Sequence, residues 1–210
     1  MRKLLPVLLL PVAVWAALTP LFNGKDLEGW QVLGKAQWKV QNGEIHGGQF
    51  GNPKHGGLLC TVDAYQDFDL ELEFKIDEHG KYNSGVYLRR QKDRKFGPSY
   101  QVNIGRGVAG EAIGLYRDDW LDKGDEHDRI RKPRQWNHMR ILADGPRIQV
   151  WLNQKRIVEF TEPDPQPHLL AAGTLALQTY GADGHDGWVH FRNLRIERLP
   201  RPNLSNHTQP

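Results

Sequence analysis

The groups best suited to chemistry on a polyhydroxylated ligand are concentrated between Asp67 and Ile104, in DFDLELEFKIDEHGKYNSGVYLRRQKDRKFGPSYQVNI. Glu71, Glu73, Tyr87, Arg89, Gln101 and Asn103 all fall on the polar side of alternating segments there. Carboxylates and amides bond neighbouring hydroxyls in pairs, and an aromatic face covers the C–H side of a sugar ring. Asn83 and, further along the chain, Gln178 extend the amide set, while Trp120 and Tyr180 offer rings from loop-rich segments. Each residue also has a plain alternative, because polar groups on the water-facing side of an antiparallel sheet need no ligand.

The positions of these groups follow from periodicity. Phe68, Leu70, Leu72, Phe74 and Ile76 alternate with Asp69, Glu71, Glu73 and Lys75, the period-two pattern of a strand with one buried face. Val86 and Leu88 stand opposite Tyr87 and Arg89, and Tyr100, Val102 and Ile104 stand opposite Gln101 and Asn103. The expectation is one shared polar surface formed by Glu73, Arg89, Gln101 and Asn103. The Gly- and charge-rich stretch 105–134 and the loop at 180–187 would roof it.

Elsewhere, Asn42-Gly43 between alternating segments predicts a two-residue hairpin turn with positive φ. Leu58 to Val62 reads as a buried strand that carries Cys60 as a small core hydrophobe. Trp136 to Ala143, Arg147 to Leu152 and Arg156 to Phe160 form a meander. The inward phase slips at Arg192-Asn193, as in a closing strand with a β-bulge. Asp118, Asp119, Asp122, Asp125 and Glu126 lack calcium-loop spacing and read as solvated loop charge. About eleven short strands with regular turn signals and no amphipathic helix define the fold class. It is all-β, an antiparallel two-sheet jelly-roll sandwich.

With 210 residues, 39% hydrophobic and 25% charged, the chain can bury one substantial core. Residues 1–17 have the form of a secretory signal: Arg2 and Lys3, an apolar run, then Val14-Trp15-Ala16. The expected organisation is a signal at 1–17, one sandwich domain at 18–199 and a disordered tail at 200–210. It implies an exported protein, periplasmic or extracellular, with no stable membrane span once the signal is cleaved. Losing Arg2 and Lys3 reduces the net charge from +3 to +1, so nothing argues for a nucleic-acid partner. Cys60 is the only cysteine, which excludes an internal disulfide.

The ordered segments FNGKDLEGW at Phe22, WKVQNGEIHG at Trp38, DFDLELEFKI at Asp67, NSGVYLR at Asn83, WNHMRI at Trp136, IQVWLNQKRI at Ile148 and GWVHFRNLRIERL at Gly187 give the chain a recognisable signature. It resembles the bacterial 3-keto-disaccharide hydrolase domain family over roughly residues 19–199. The resemblance implies a concanavalin A-like fold and cleavage of glycosides already oxidised to a ketone at C3. The partner would be an oxidised carbohydrate. Many members have Tyr-Glu-Val-Gln where this chain has Tyr100-Gln101-Val102-Asn103, so an amide replaces a carboxylate.

A C3 ketone acidifies the C2 proton, so the implied chemistry needs a base near C2, donors for the enolate oxygen and an acid for the leaving oxygen. On this reading Glu73 is the base and His185 the acid, with His46 as its rival, while Asn83, Arg89 and Gln101 donate. A non-catalytic sugar-binding domain is the alternative. A two-carboxylate glycosidase fits poorly, because Glu71 and Glu73 project in parallel from one strand, roughly 6–7 Å apart. No cofactor motif is identified, and the sequence leaves open whether a divalent metal assists.

Overall fold

The computed structural model describes residues 18–48, 56–78, 82–91, 99–107, 111–180 and 187–200. The signal expected at 1–17 and the tail beyond Pro200 lie outside them. One sheet contains β1 (Thr19–Pro20), β3 (Gln37–Gln41), β4 (Glu44–Gly48), β6 (Phe68–Ile76), β11 (Asn137–Asp144), β12 (Arg147–Leu152), β13 (Lys155–Thr161) and β15 (Trp188–Arg198). Its order is β13-β12-β11-β6-β15-β4-β3, with β1 also beside β15. The other sheet contains β2 (Trp30–Gly34), β5 (Gly57–Tyr65), β7 (Asn83–Arg90), β8 (Tyr100–Ile104), β9 (Leu115–Tyr116), β10 (Trp120–Asp122) and β14 (Gly173–Tyr180). These are ordered β10-β9-β8-β7-β14-β5-β2. The described pairings are antiparallel, and one helical turn, α1 (Pro167–Leu170), interrupts the strands.

The predicted inward residues of β6 are all buried, and they meet Val86, Leu88, Val102, Ile104, Leu175 and Leu177 from the facing sheet in one core. Full burial of such a side chain is worth about 1.5–3 kcal/mol, which fixes the alternation of every strand involved. The hairpin at Asn42-Gly43 forms as expected, with φ of 55° and 76° between the paired Gln41 and Glu44. The bulge in β15 is also present: Asn193 and Leu194 stand against Leu72 alone, with Asn193 at φ 54°.

Two expectations about placement are corrected. The first concerns Glu73: β6 pairs with β11 and β15, not with β7, so Glu71 and Glu73 lie on the outer face of the opposite sheet from Gln101 and Asn103. The second concerns Arg89. Leu88 and Arg89 together stand against Leu175 alone, and Arg89 has φ 53°. This bulge turns its side chain away from the outer surface. The buried guanidinium donates to Asp67 Oδ1 at 2.9 Å, Gly145 O at 2.8 Å, Leu169 O at 3.4 Å and Gln66 O. Arg89 therefore ties together loops at one end of the sandwich and is not a surface donor for ligand.

The stretch 105–134 contributes β9 and β10. Within it, Asp125 accepts backbone N–H bonds from Arg129, Ile130 and Arg131, so part of its acidic charge organises the loop itself.

Candidate functional site

Across β8, β7 and β14 the outer face of the second sheet carries Gln101 and Asn103, then Asn83 and Gly85, then Gln178 and Tyr180. Register brings them side by side: Gly85 is opposite both Asn103 and Gln178, and Asn83 is opposite Tyr180. Gly85 has a specific task here. A Cβ on it would stand 2.4 Å from Gln101 Nε2, so its absence lets the Gln101 side chain lie across β7. From there Gln101 Nε2 donates to Gln178 Oε1 at 2.8 Å and to Asn103 Oδ1 at 3.3 Å.

Above this amide floor, the segment entering β9 brings in Glu111. Asn83 Nδ2 donates to Glu111 Oε2 at 2.6 Å, and Asn103 Nδ2 donates to Ala112 O at 2.7 Å, fixing that segment over β8. Gly105 permits the close approach, since a Cβ there would lie 2.6 Å from Glu111 Cβ. Asn83 Oδ1 is buried and has no hydrogen-bond partner among the described residues, a costly state for an amide oxygen unless a ligand or water serves it.

The four amides Asn83, Gln101, Asn103 and Gln178, with Glu111, Tyr116, Trp120 and Tyr180, line a cleft of about 410 Å³. Tyr116 and Trp120 pack edge to face, with centroids 5.5 Å apart, while Tyr180 stands 46% exposed on the far side. Three strand spacings of about 4.8 Å separate β9 from β14, so the aromatic walls span roughly 14 Å. The cleft thus pairs polar hydrogen-bonding groups with aromatic ring faces. Beside it on the same outer face, Leu58, Cys60 and Ala176 pack with Leu33 and Tyr87. Burial pushes the Cys60 thiol up, consistent with a packing role.

Of the residues expected at the site, the structure brings together Asn83, Gln101, Asn103, Trp120, Gln178 and Tyr180. It does not bring Glu73, whose carboxylate accepts from Arg192 Nε at 2.5 Å and Asn193 Nδ2 at 3.2 Å on the opposite outer face. His46 also lies on that face, stacked on His190 with centroids 3.7 Å apart. Burial, reinforced by the charges of His46 and Lys75 and opposed by Glu44, lowers the pKa of His190 to about 4. His185 lies outside the described residues. Sequence reasoning misses Glu111, the carboxylate of the described cleft lining, because its irregular glycine-rich segment has no period to place it.

The fold is a two-sheet jelly roll of concanavalin A-like type with a polar and aromatic cleft on one outer face. More specifically, the chain belongs to the family described as the 3-keto-alpha-glucoside-1,2-lyase-like domain, which matches residues 17–197. It is 25% identical to a 3-keto-disaccharide hydrolase of Bacteroides thetaiotaomicron, over 85% of this chain and 77% of that protein. In structure it resembles a provisional glycosyl hydrolase of Parabacteroides distasonis, with a TM-score of 0.65 and 25% identity, covering 88% of this chain and 100% of that one. A carbohydrate-binding module of Bacillus subtilis shares the fold at a TM-score of 0.59 and 16% identity, over 80% and 95% of the two chains. No helix among the described residues is long and apolar enough to cross a membrane.

Proposed function

We propose that the cleft binds a glycoside already oxidised at C3 and cleaves it by elimination and hydration. The observation that carries this reading is the convergence of Glu111 with Asn83, Gln101 and Gln178 in one sugar-sized cleft. Glu111 replaces Glu73 as the proposed base. Its Oε2 is held by Asn83, leaving Oε1 to take the C2 proton. Gln178 accepts through Oε1, so its amide N–H groups are left to bond the enolate oxygen formed at C3. The enolate electrons then form the C1–C2 double bond as the C1 oxygen leaves with a proton. His185, five residues after Tyr180 in the chain, remains the proposed source of that proton. Water adds across the double bond, its hydroxyl to C1 and its proton to C2, which completes net hydrolysis. Export ahead of a cleaved signal at 1–17 is part of the same proposal.

The test is incubation of pure protein with 3-keto-trehalose and a 3-keto-glucoside beside the unoxidised sugars. The expectation is cleavage of the oxidised sugars alone, reduced about a hundredfold or more by Glu111→Gln, the scale of general-base catalysis. One observation favours a second reading as a binding domain: Gln101, an amide, occupies the centre of the floor. If the unmutated protein binds 3-keto-glucosides without cleaving any, the binding reading replaces the catalytic one.

A further inference from the structure

On the outer face of the first sheet, across the sandwich from the cleft, β4 and β15 bring Glu44, His46 and His190 together. His46 and His190 are direct cross-strand partners, and Glu44 precedes His46 by two residues, so all three project from one face. His46 Nε2 lies 3.1 Å and His190 Nδ1 3.2 Å from the same oxygen, Glu44 Oε2. The ligand atoms of the three residues all lie within 4.8 Å of one another. Nitrogen and oxygen ligands about 2.1 Å from a tetrahedral ion stand about 3.4 Å apart, close to these separations. Among the described residues, His190 Nδ1 is buried with no partner that meets full hydrogen-bond geometry, and Glu44 Oε2 is its near neighbour at 3.2 Å.

The surroundings both shape and limit such a site. The rings lie parallel to within 5°, so their in-plane lone pairs converge on one ion once the rings turn about the soft Cβ–Cγ torsions. Trp188 walls one side, its centroid 4.5 Å from that of His190. Lys39 and Lys75 flank the row as cross-strand neighbours of His46 and His190, and their charge weakens cation binding. The Lys75 ammonium is drawn towards indole faces, 4.8 Å from the Trp136 centroid and 6.0 Å from that of Trp188.

We propose that Glu44, His46 and His190 form a three-ligand site for a divalent transition ion of the zinc class, with water completing the coordination. Two imidazoles and one carboxylate select zinc, nickel or copper over magnesium or calcium. The site is independent of the cleft and of the chemistry proposed there.

Tag-free, EDTA-treated protein titrated with zinc chloride in a calorimeter tests it. The expectation is a saturable site with a Kd below about 100 μM and a Tm rise of roughly 5 °C at a hundredfold excess over Kd. Magnesium and calcium at the same concentrations should leave Tm unchanged. His46→Gln and His190→Gln should each weaken zinc binding about tenfold or more, and the double variant should abolish it. Absence of saturable zinc binding overturns the proposal, as does a double variant that binds as tightly as the unmutated protein. Cobalt loading of the unmutated protein gives a readout independent of variant folding: visible d–d bands support a protein-bound four-coordinate ion, and their absence overturns it.

Discussion

Replacing Gly85 with alanine should disable the cleft without unfolding the protein. The added Cβ would lie 2.4 Å from Gln101 Nε2, 3.0 Å from its Cγ and 3.1 Å from its Cδ. All three atoms belong to a side chain that can rotate away, and Gly85 does not occupy the positive-φ region. The substitution therefore displaces Gln101 rather than β7. Displacement removes the bonds from Gln101 to Gln178 and Asn103. At about 1 kcal/mol net each, their loss removes about 2 kcal/mol of preorganisation, about thirtyfold in kcat/KM for a 3-keto-glucoside, or in Kd where there is no turnover. Tm should move by less than about 3 °C, since alanine also costs less strand entropy than glycine. If Gly85 acts through Gln101, the Gly85→Ala/Gln101→Ala double variant should be no worse than Gln101→Ala alone. Activity or affinity kept within twofold in Gly85→Ala, or full additivity in the double variant, would refute the assignment of the amide floor.

Glu73→Gln should keep kcat/KM within twofold, because Glu73 is paired with Arg192 on the opposite sheet; a hundredfold fall would restore it to the mechanism. Asp67→Asn should lower Tm by roughly 10 °C by scanning calorimetry, since breaking a buried ion pair costs about 3–5 kcal/mol. A change under 3 °C would count against the clamp that Arg89 makes there. At Glu162, burial pushes the carboxyl pKa up, but the Tyr100 hydrogen bond and the Arg117 charge outweigh it and hold the value below the usual range. A lowered folded-state pKa adds stability above the unfolded value of about 4.3 and loses it as pH falls through the folded value. Glu162→Gln should therefore lower Tm at pH 7, with the gap to the unmutated protein closing below about pH 4; a gap independent of pH would refute this.

Which residues point inward is legible in the alternation of β6, β7 and β8, because burying the apolar set fixes the facing of each strand. What alternation cannot tell is which sheet a strand joins, and a sandwich has two outer faces. Glu73 and Gln101 both read as outward, and both are, but with the whole core between them. Arg89 fails for a different reason: one extra residue against Leu175 reverses its facing, and β7 has no apolar pattern after Leu88 that would reveal the slip. Glu111 enters the cleft through hydrogen bonds from Asn83 and to the backbone beside it, contacts that depend on tertiary approach and leave no trace in local spacing. The bulge that carries Arg89 into the sandwich end also sets the pairing beyond it, where Gln178 falls beside Gly85 and Asn83 beside Tyr180. A one-residue shift of that register would turn Gln178 to the other face of its strand. The buried clamp and the exposed cleft therefore depend on the same irregularity in β7, although the residues that form them share no pattern in sequence.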